Sequence, residues 1–192
     1  AQAPPALGTR LRMELELLLE REPWTRALTL LQDWGGLLLL DPGLQADHSW
    51  RRRLLWARRL ALPPLLALLL GASDPLAVAA RLQLPHRQQR WLAQWVRLRA
   101  SLPTTSTSLR WQPSRWCELL EGHGNFPEAV ALALVAGDGP RRPLLRWWFR
   151  WRHLQPPCTA AELMDREGLA PGPGLGERLR QLRAEQLDRL RG

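Results

Sequence analysis

Lysine, tyrosine and isoleucine are absent from this 192-residue chain, and cysteine occurs only twice. All 27 residues of the Lys+Arg class are therefore arginines. Such absences are typical of codon bias in a GC-rich genome, so abundant arginine does not by itself indicate nucleic-acid binding. The formal net charge of +9 does not depend on that bias. It favours a polyanionic partner, although a solvated basic surface without a ligand would give the same charge.

Clusters of metal-binding residues are also absent from the sequence. Cys117 and Cys158 have no spaced cysteine or histidine partners, whereas a zinc site needs about four ligands. We interpret both as buried, reduced thiols of a cytosolic protein. No two histidines stand four residues apart, so no metal role is predicted for them; they are His48, His86, His123 and His153.

No segment is apolar for long enough to cross a membrane. The longest apolar stretch, Leu60 to Ala72, is interrupted by Pro63 and Pro64 and covers about a dozen residues, too few for a bilayer. No signal peptide is visible. We therefore expect a cytoplasmic protein without a membrane partner.

Apolar residues recur at helical spacing along the chain, and no segment shows sustained alternation typical of a strand. The pattern predicts an all-α fold, a multi-helix array of about ten short helices that ends in a helical hairpin, with no sheet. The predicted helices before the hairpin cover residues 7–20, 23–34, 48–61, 64–70, 75–82, 85–101, 114–121 (capped by Ser114), 128–136 and 141–154.

The end of the chain carries the most specific pattern, two helical segments around a loop of proline and glycine, Pro171 to Gly174. Gly168 is expected to end the first helix, because glycine accepts a positive φ at little cost. The second helix, Leu175 to Leu190, would direct unpaired N–H groups at the loop, which suits an anion such as a phosphate. The alternative is a hairpin whose glycines only shape the turn.

This segment resembles the C-terminal signature of bacterial tRNA nucleotidyltransferases, in the family of class II CCA-adding enzymes and poly(A) polymerases. The signature begins Thr/Ser-Gly-x-Asp-Leu, and Thr159 to Leu163 matches it except that Ala160 replaces Gly and Glu162 replaces Asp. It continues with an apolar-Gly-Leu-x-Pro-Gly-Pro run, which Gly168 to Pro173 matches, and with Gly176.

A second similarity lies near the start of the chain. Arg10, Glu14 and Leu15 match the helix that closes the family's neck domain, whereas Leu7 and Thr9 depart from it. The resemblance implies three regions: residues 1–22 as the end of the neck, 23–154 as a helical body and 155–192 as the tail hairpin.

The family's catalytic head is not apparent in this chain. Its two metal-binding carboxylates stand one residue apart on a strand and clamp the transferring phosphoryl group. No Asp-x-Asp or Glu-x-Asp occurs here, and Glu14 and Glu16 lie on a predicted helix, where they point about 200° apart. We therefore expect no catalytic residue, metal or cofactor in this chain, and a head in cis upstream of Ala1 that uses Mg²⁺ with CTP or ATP.

Three arginine-rich segments are candidates for RNA contact. The first holds Arg51, Arg52, Arg53, Arg58 and Arg59. The second includes Arg141, Arg142, Arg146, Arg150 and Arg152, interleaved with Trp147, Trp148, Phe149 and Trp151. The third is the last helix, with Arg178, Arg180, Arg183, Arg189 and Arg191, together with the tail glycines Gly172, Gly174 and Gly176. Arginine binds phosphates and tryptophan stacks on bases, but a tryptophan face in the core with arginines in solvent would give the same second pattern.

The resemblance implies the tRNA-binding region of a template-independent tRNA nucleotidyltransferase that adds or repairs the CCA end. Phosphate contacts suit a module that accepts every tRNA, because they position RNA without reading its sequence. Two alternatives stay open: the RNA-binding region of a poly(A) polymerase, and a non-catalytic helical scaffold that binds other proteins.

Overall fold

The structure is a computed structural model that describes residues 5–21, 23–104, 111–168 and 170–190. The predicted all-α class is confirmed, because the described residues form twelve α-helices and no strand. These ranges exclude residues 105–110, in the Thr/Ser-rich segment after Leu102, as well as Leu169 of the signature and Arg191. The helices are α1 Pro5–Glu20, α2 Trp24–Asp33, α3 Pro42–Ala46, α4 Trp50–Arg59, α5 Pro64–Leu69, α6 Pro75–Arg81, α7 His86–Ser101, α8 Pro113–Glu121, α9 Pro127–Ala136, α10 Arg141–Phe149, α11 Ala160–Glu167 and α12 Pro173–Arg189.

Proline and glycine set many of the helix boundaries. Proline is the first residue of seven of the twelve described helices, where its fixed φ suits the first turn and its missing N–H costs nothing. Gly137 (φ +87°) and Gly168 (φ +65°) follow α9 and α11 in the left-handed conformation, which confirms the predicted end of the first tail helix. Asp74, rather than the neighbouring Ser73, caps α6 by accepting hydrogen bonds from the N–H groups of Leu76 and Ala77.

Several local predictions need correction. The expected helix over 141–154 ends at Phe149, because Arg150 leaves the helical region with φ −132°. Ser114 does not cap α8: Gln112 holds the cap position, since Pro113 takes the first helical residue. Three short 3₁₀ helices and α3 are additional to the predicted elements, the 3₁₀ helices being Gly36–Leu39, Gly122–Gly124 and Trp151–His153.

The chain divides into two compact units that are discontinuous in sequence. The first contains residues 1–102 and 126–139, and the second contains 103–125 and 140–192. Sequence counts give 14 arginines and 10 acidic residues in the first unit, and 13 and 8 in the second, so their formal charges are +4 and +5. The division into neck, body and tail remains a prediction.

Helix α9 forms the centre of the first unit. Every residue from Ala129 to Val135 is buried, and the helix packs against α4, α5 and α7. Helix α5 is buried over Leu65 to Leu69. A helix that is apolar on all sides has to be surrounded by other elements, which explains why these two segments lack charged residues.

Two buried polar groups tie together the loops of the first unit. The Asp41 carboxylate caps α3 and accepts hydrogen bonds from the N–H groups of Gly43 and Ser73, each at 2.7 Å. Burial alone would raise the pKa of Asp41, but the hydrogen bonds from Ser73, Gly43 and Asp74 outweigh it, so the pKa is lowered.

The second buried polar group is a salt bridge. Arg53 is buried, forms an ion pair with Asp47, and donates from Nε to the carbonyl oxygen of Ala67 at 2.9 Å. Removing one partner of such a pair leaves an uncompensated buried charge. Arg53 therefore has a structural role within the first arginine-rich segment.

In the second unit, α12 packs along α8 and also contacts α11. Arg183 of α12 forms an ion pair with Glu121 at the end of α8. At the start of α8, the Asp188 carboxylate accepts hydrogen bonds from the N–H of Ser114 at 2.9 Å and from its hydroxyl at 2.7 Å. The tail helix is thus joined to α8 by polar contacts at both ends of α8.

Candidate nucleic-acid interface

Helix α10 presents a row of arginines to solvent. Arg142 and Arg146 are exposed, whereas Leu144 and Trp147 of the same helix are buried. The backbone N–H of Arg150, also exposed, still donates to the carbonyl oxygen of Arg146 at 2.9 Å. The three guanidinium groups therefore belong to residues about one helical turn apart. We call Arg142, Arg146 and Arg150 the α10 face.

No carboxylate neutralises the α10 face among the described residues. Residues 139–161 contain no aspartate or glutamate, and no described acidic side chain lies within ion-pair distance of the three arginines. An unpaired arginine keeps its full charge and all five N–H donors for an external anion. The α10 face is therefore a local concentration of positive charge suited to phosphate groups.

The tryptophans interleaved with these arginines serve the core of the unit. Trp147 and Trp151 are 2% and 4% exposed, and Trp147 donates from Nε1 to a Glu121 carboxylate oxygen at 2.9 Å. Trp148 is half-buried, and the Arg152 guanidinium lies 3.7 Å from its ring centre. The structure thus shows the alternative arrangement, with tryptophans inward and arginines outward, so these rings are not a platform for bases.

The tail arginines differ from the α10 face because each has an acidic partner. Arg178 pairs with Glu167 at 3.1 Å, and Arg180 pairs with Glu177 at 2.6 Å. Both pairs are at least one-third exposed, so water and salt screen them and an RNA phosphate can compete for the arginines. Their role in RNA binding remains a prediction.

Arg183 is held by a larger set of partners. Its guanidinium contacts both Glu121 oxygens, at 2.5 and 2.9 Å, and the carbonyl oxygens of Trp151 and Leu154. Burial alone would raise the pKa of Glu121, but the ion pair with Arg183 and the hydrogen bond from Trp147 lower it overall. These contacts occupy the donors that a phosphate would need, so the geometry favours a structural role for Arg183.

The glycines of the tail loop leave open space around the start of α12. The helix begins at Pro173, two residues before the predicted start, and no side chain caps it. A Cβ added at Gly172, Gly174 or Gly176 would meet no atom within 4 Å. Gly172 has an extended backbone (φ 163°), and Gly174 and Gly176 are helical, so none of the three needs glycine for its conformation. The predicted anion site is therefore sterically accessible, and binding there remains a prediction.

Part of the C-terminal signature has a local structural explanation. Thr159 and Glu162 form a capping box: the Thr159 hydroxyl accepts from the Glu162 N–H at 3.3 Å, and the Glu162 carboxylate accepts from the Thr159 N–H at 2.8 Å. Helix capping alone can account for Thr159, which matches the signature, and for Glu162, which replaces its Asp. In the neck-like segment, Arg10 and Glu14 are both exposed on α1.

A recurrent contact missed at the sequence level is the stacking of arginine on aromatic rings. In the first arginine-rich segment, Arg51, Arg58 and Arg59 lie over tryptophan rings at 5.1 to 5.2 Å. The i,i+4 spacing of Arg87 and Trp91, and of similar pairs elsewhere in the sequence, is the signal from which this stacking could have been predicted. Such contacts hold many guanidinium groups against the protein surface. These stacking contacts distinguish arginines that pack on aromatic rings from the arginines of the α10 face.

The described residues offer no site for the metal ions that the resemblance implies. No group of three His, Cys, Asp or Glu side chains within them is placed to hold a metal ion. They therefore do not fit a two-metal centre, and no phosphoryl-transfer step is assigned to this chain. None of the described helices is long and apolar enough to cross a membrane.

A cavity of about 470 Å³ lies in the first unit. Its wall includes Glu16, Glu20 and Gln88 together with the segment from Ala61 to Leu65. Its only ionisable lining groups are acidic, so it does not suit a nucleotide or a phosphate.

No family model matches this chain, and neither does any curated protein or solved structure. The similarity to tRNA nucleotidyltransferases therefore depends on the residues quoted above. The charge and geometry of the second unit are the remaining evidence for the function of this chain.

Proposed function

We propose that this chain is an RNA-binding region, the body and tail of a tRNA nucleotidyltransferase of the CCA-adding type, and that the α10 face binds RNA phosphates. The observation that supports it is the row of three exposed arginines without an acidic partner in the described residues. Arginine forms bidentate, charge-assisted hydrogen bonds to phosphate and is preferred where such groups are recognised.

The kind of RNA follows from the type of contact and from the resemblance. Arginines that contact phosphates do not read base edges, so they would accept RNAs of different sequence. An enzyme that completes every tRNA needs this property. The catalytic head, with Mg²⁺ and CTP or ATP, would act in cis in the same cytoplasmic polypeptide, while this region holds the RNA.

The tail contributes a second, weaker contact in this proposal. The uncapped start of α12 offers backbone N–H groups in open space, and Arg178 stands one turn into that helix. Arg178 and Arg180 would exchange exposed glutamate partners for phosphate. We leave Arg183 out of the contact surface because of its four hydrogen bonds inside the unit.

The experiment is a titration of labelled tRNA with the whole chain at several salt concentrations, followed by fluorescence anisotropy. A triple variant replaces Arg142, Arg146 and Arg150 with glutamine. Each lost phosphate contact should reduce the slope of log K against log salt by about 0.7 to 0.9, so we expect the triple variant to lose roughly 2 to 3 units of slope.

A matched control variant distinguishes the effect of losing the α10 face from the effect of losing the same net charge elsewhere. The control variant replaces Arg21, Arg26 and Arg97 with glutamine; these are exposed arginines of the first unit with the same total charge. We expect its slope to stay near that of the unmodified chain. Equal slopes for the two triple variants, or salt-independent binding by the unmodified chain, would contradict the proposal.

One observation favours the protein-binding alternative. Trp34 is 77% exposed, and Leu38 and Leu39 of the adjacent 3₁₀ helix are exposed as well. Exposed apolar side chains that are close together are characteristic of protein-binding surfaces. A chain that binds no tRNA at low salt, but forms stable complexes that Trp34→Ala abolishes, would support the scaffold.

A further inference from the structure

We propose that the α10 face takes an unpaired nucleotide, whose base stacks on Phe149 while its flanking phosphates contact the arginines. This inference rests on the proposed RNA-binding function and adds the class of RNA: a loop or a single-stranded end rather than a continuous duplex. It assigns a role to Phe149, the one large aromatic side chain among the described residues of the second unit that is exposed to solvent.

Phe149 lies within the row of arginines. It is 65% exposed, at the end of α10 and next to Arg150 in sequence. At about 100° per residue, Phe149, Arg142 and Arg146 fall within an arc of about 60° on the helix, on the side away from Leu144 and Trp147. A base on the ring would therefore bring its phosphates close to the guanidinium groups.

The Phe149 ring is also unoccupied, unlike most rings of the protein. Arginine guanidinium groups lie over eight tryptophan rings, Trp148 among them, and over Phe126, at 3.7 to 6.0 Å from the ring centres. Phe149 has no aromatic or guanidinium partner among the described residues. Covering an exposed phenylalanine ring removes apolar surface from water, and the flat face of a base can supply that cover.

The surroundings favour a base over an apolar protein surface as the occupant. Phe149 is the only exposed large hydrophobic side chain among the described residues of the second unit, so no extended apolar patch surrounds it. Arg142, Arg146 and Arg150 of the α10 face have no acidic partner among the described residues. One aromatic ring among free cations is the combination that binds single-stranded nucleic acid, where stacking tolerates any base and arginines follow the backbone.

In duplex RNA the bases are stacked on each other and cannot reach a side chain on the protein surface. Single-stranded segments and loops, in contrast, present unstacked bases. The inference therefore predicts that Phe149 contributes to the affinity for unpaired RNA and contributes little to the affinity for a duplex. Arginine contacts, which involve phosphates, should contribute to both.

The test compares the affinities of a 12-nucleotide single-stranded RNA and a 12-base-pair duplex for the whole chain and its variants. We expect Phe149→Ala to weaken single-strand binding by roughly 5- to 100-fold, as for the loss of one base–aromatic stack, and to leave duplex binding nearly unchanged. Phe149→Tyr should retain the affinity, and Phe149→Leu should lose it despite being apolar. Since Phe149 is exposed, circular dichroism should show the same helix content for all three variants.

Salt dependence distinguishes this inference from the proposed function. Phe149→Ala should lower single-strand affinity at every salt concentration without changing the slope, whereas Arg146→Gln should reduce the slope by about 0.7. Trp34→Ala is the control for loss of an exposed ring without arginine neighbours, and we expect wild-type affinity. A 2-aminopurine base in the single strand should lose fluorescence on binding to the unmodified chain but not to Phe149→Ala.

Each other outcome overturns a defined claim. Unchanged single-strand affinity in Phe149→Ala, equal losses on both RNAs, or full affinity in Phe149→Leu would overturn the stacking inference, while salt-dependent binding through the arginines would still stand. If the unmodified chain binds neither RNA, both the inference and the proposed function are wrong.

Discussion

Arg183 provides the sharpest test of the distinction between structural and RNA-binding arginines. Arg183→Gln removes two ion-pair contacts to Glu121 and two hydrogen bonds to backbone carbonyls. Hydrogen bonds to charged groups contribute about 1.5 to 3 kcal/mol each, but the two side chains keep 21% and 32% of their surface in solvent, which weakens the pair. We therefore expect the free energy of unfolding to fall by about 2 kcal/mol in total.

The assay is urea unfolding followed by circular dichroism and by tryptophan fluorescence, since Trp147 donates to the same glutamate. Arg180→Gln is the matched control, because its pair with Glu177 is more than 70% exposed on both sides and should contribute less than about 0.5 kcal/mol. A double-mutant cycle with Glu121→Gln should give a coupling energy of about 1 kcal/mol or more. Equal unfolding midpoints for Arg183→Gln and Arg180→Gln would refute the structural role.

Two further predictions concern single sites. The pKa of the Asp41 carboxylate is lowered in the folded state, so its contribution to stability is present above the ordinary value of 3.8 and is lost as the pH falls through the folded value. The Asp41→Asn variant should therefore have a lower free energy of unfolding at neutral pH, and that free energy should change less with pH in the acidic range. Urea unfolding from pH 2 to 5 would show this difference. Gly174→Val should keep the melting temperature, because a Cβ there meets no atom and the backbone φ is not left-handed. The same variant should weaken tRNA binding if a phosphate sits at the start of α12. Unchanged binding would mean that the glycines only form the turn.

Much of the helical fold follows from local signals in the sequence. Proline at the first position and glycine after the last one mark ends that agree with the structure within about two residues, as at Gly168. The predicted helix over 141–154 was too long because no proline or glycine marks the break at Arg150. Helix α3 escaped prediction because five residues are too few to show a helical period.

The candidate site was harder to predict, because the state of an arginine depends on partners that are distant in sequence. Glu121 and Arg183 are 62 residues apart, and Ser114 and Asp188 are 74 apart. Neither pairing has a local signal. The sequence therefore yields three equivalent arginine-rich segments, and only the structure separates the unpaired α10 face from neutralised or packed arginines.

The same reasoning applies to the aromatic residues. Sequence shows alternating tryptophan and arginine in the second segment, which suits either base stacking or a buried face. The structure buries Trp147 and Trp151 and exposes Phe149, whereas the sequence places all three in one mixed aromatic and arginine segment and does not distinguish them. A helical wheel of α10 would have placed Phe149 beside Arg142 and Arg146, provided that the buried side of the helix was known.

The most direct test of RNA binding by the α10 face is site-specific photo-cross-linking. A photoreactive benzoylphenylalanine replaces Arg146 in one preparation and Arg26, an exposed arginine of the first unit, in another. Both preparations are irradiated with labelled tRNA at low salt. We predict efficient cross-linking from position 146 that excess unlabelled tRNA suppresses, and little from position 26. Equal yields from both positions, or none from position 146 while tRNA remains bound, would contradict the account.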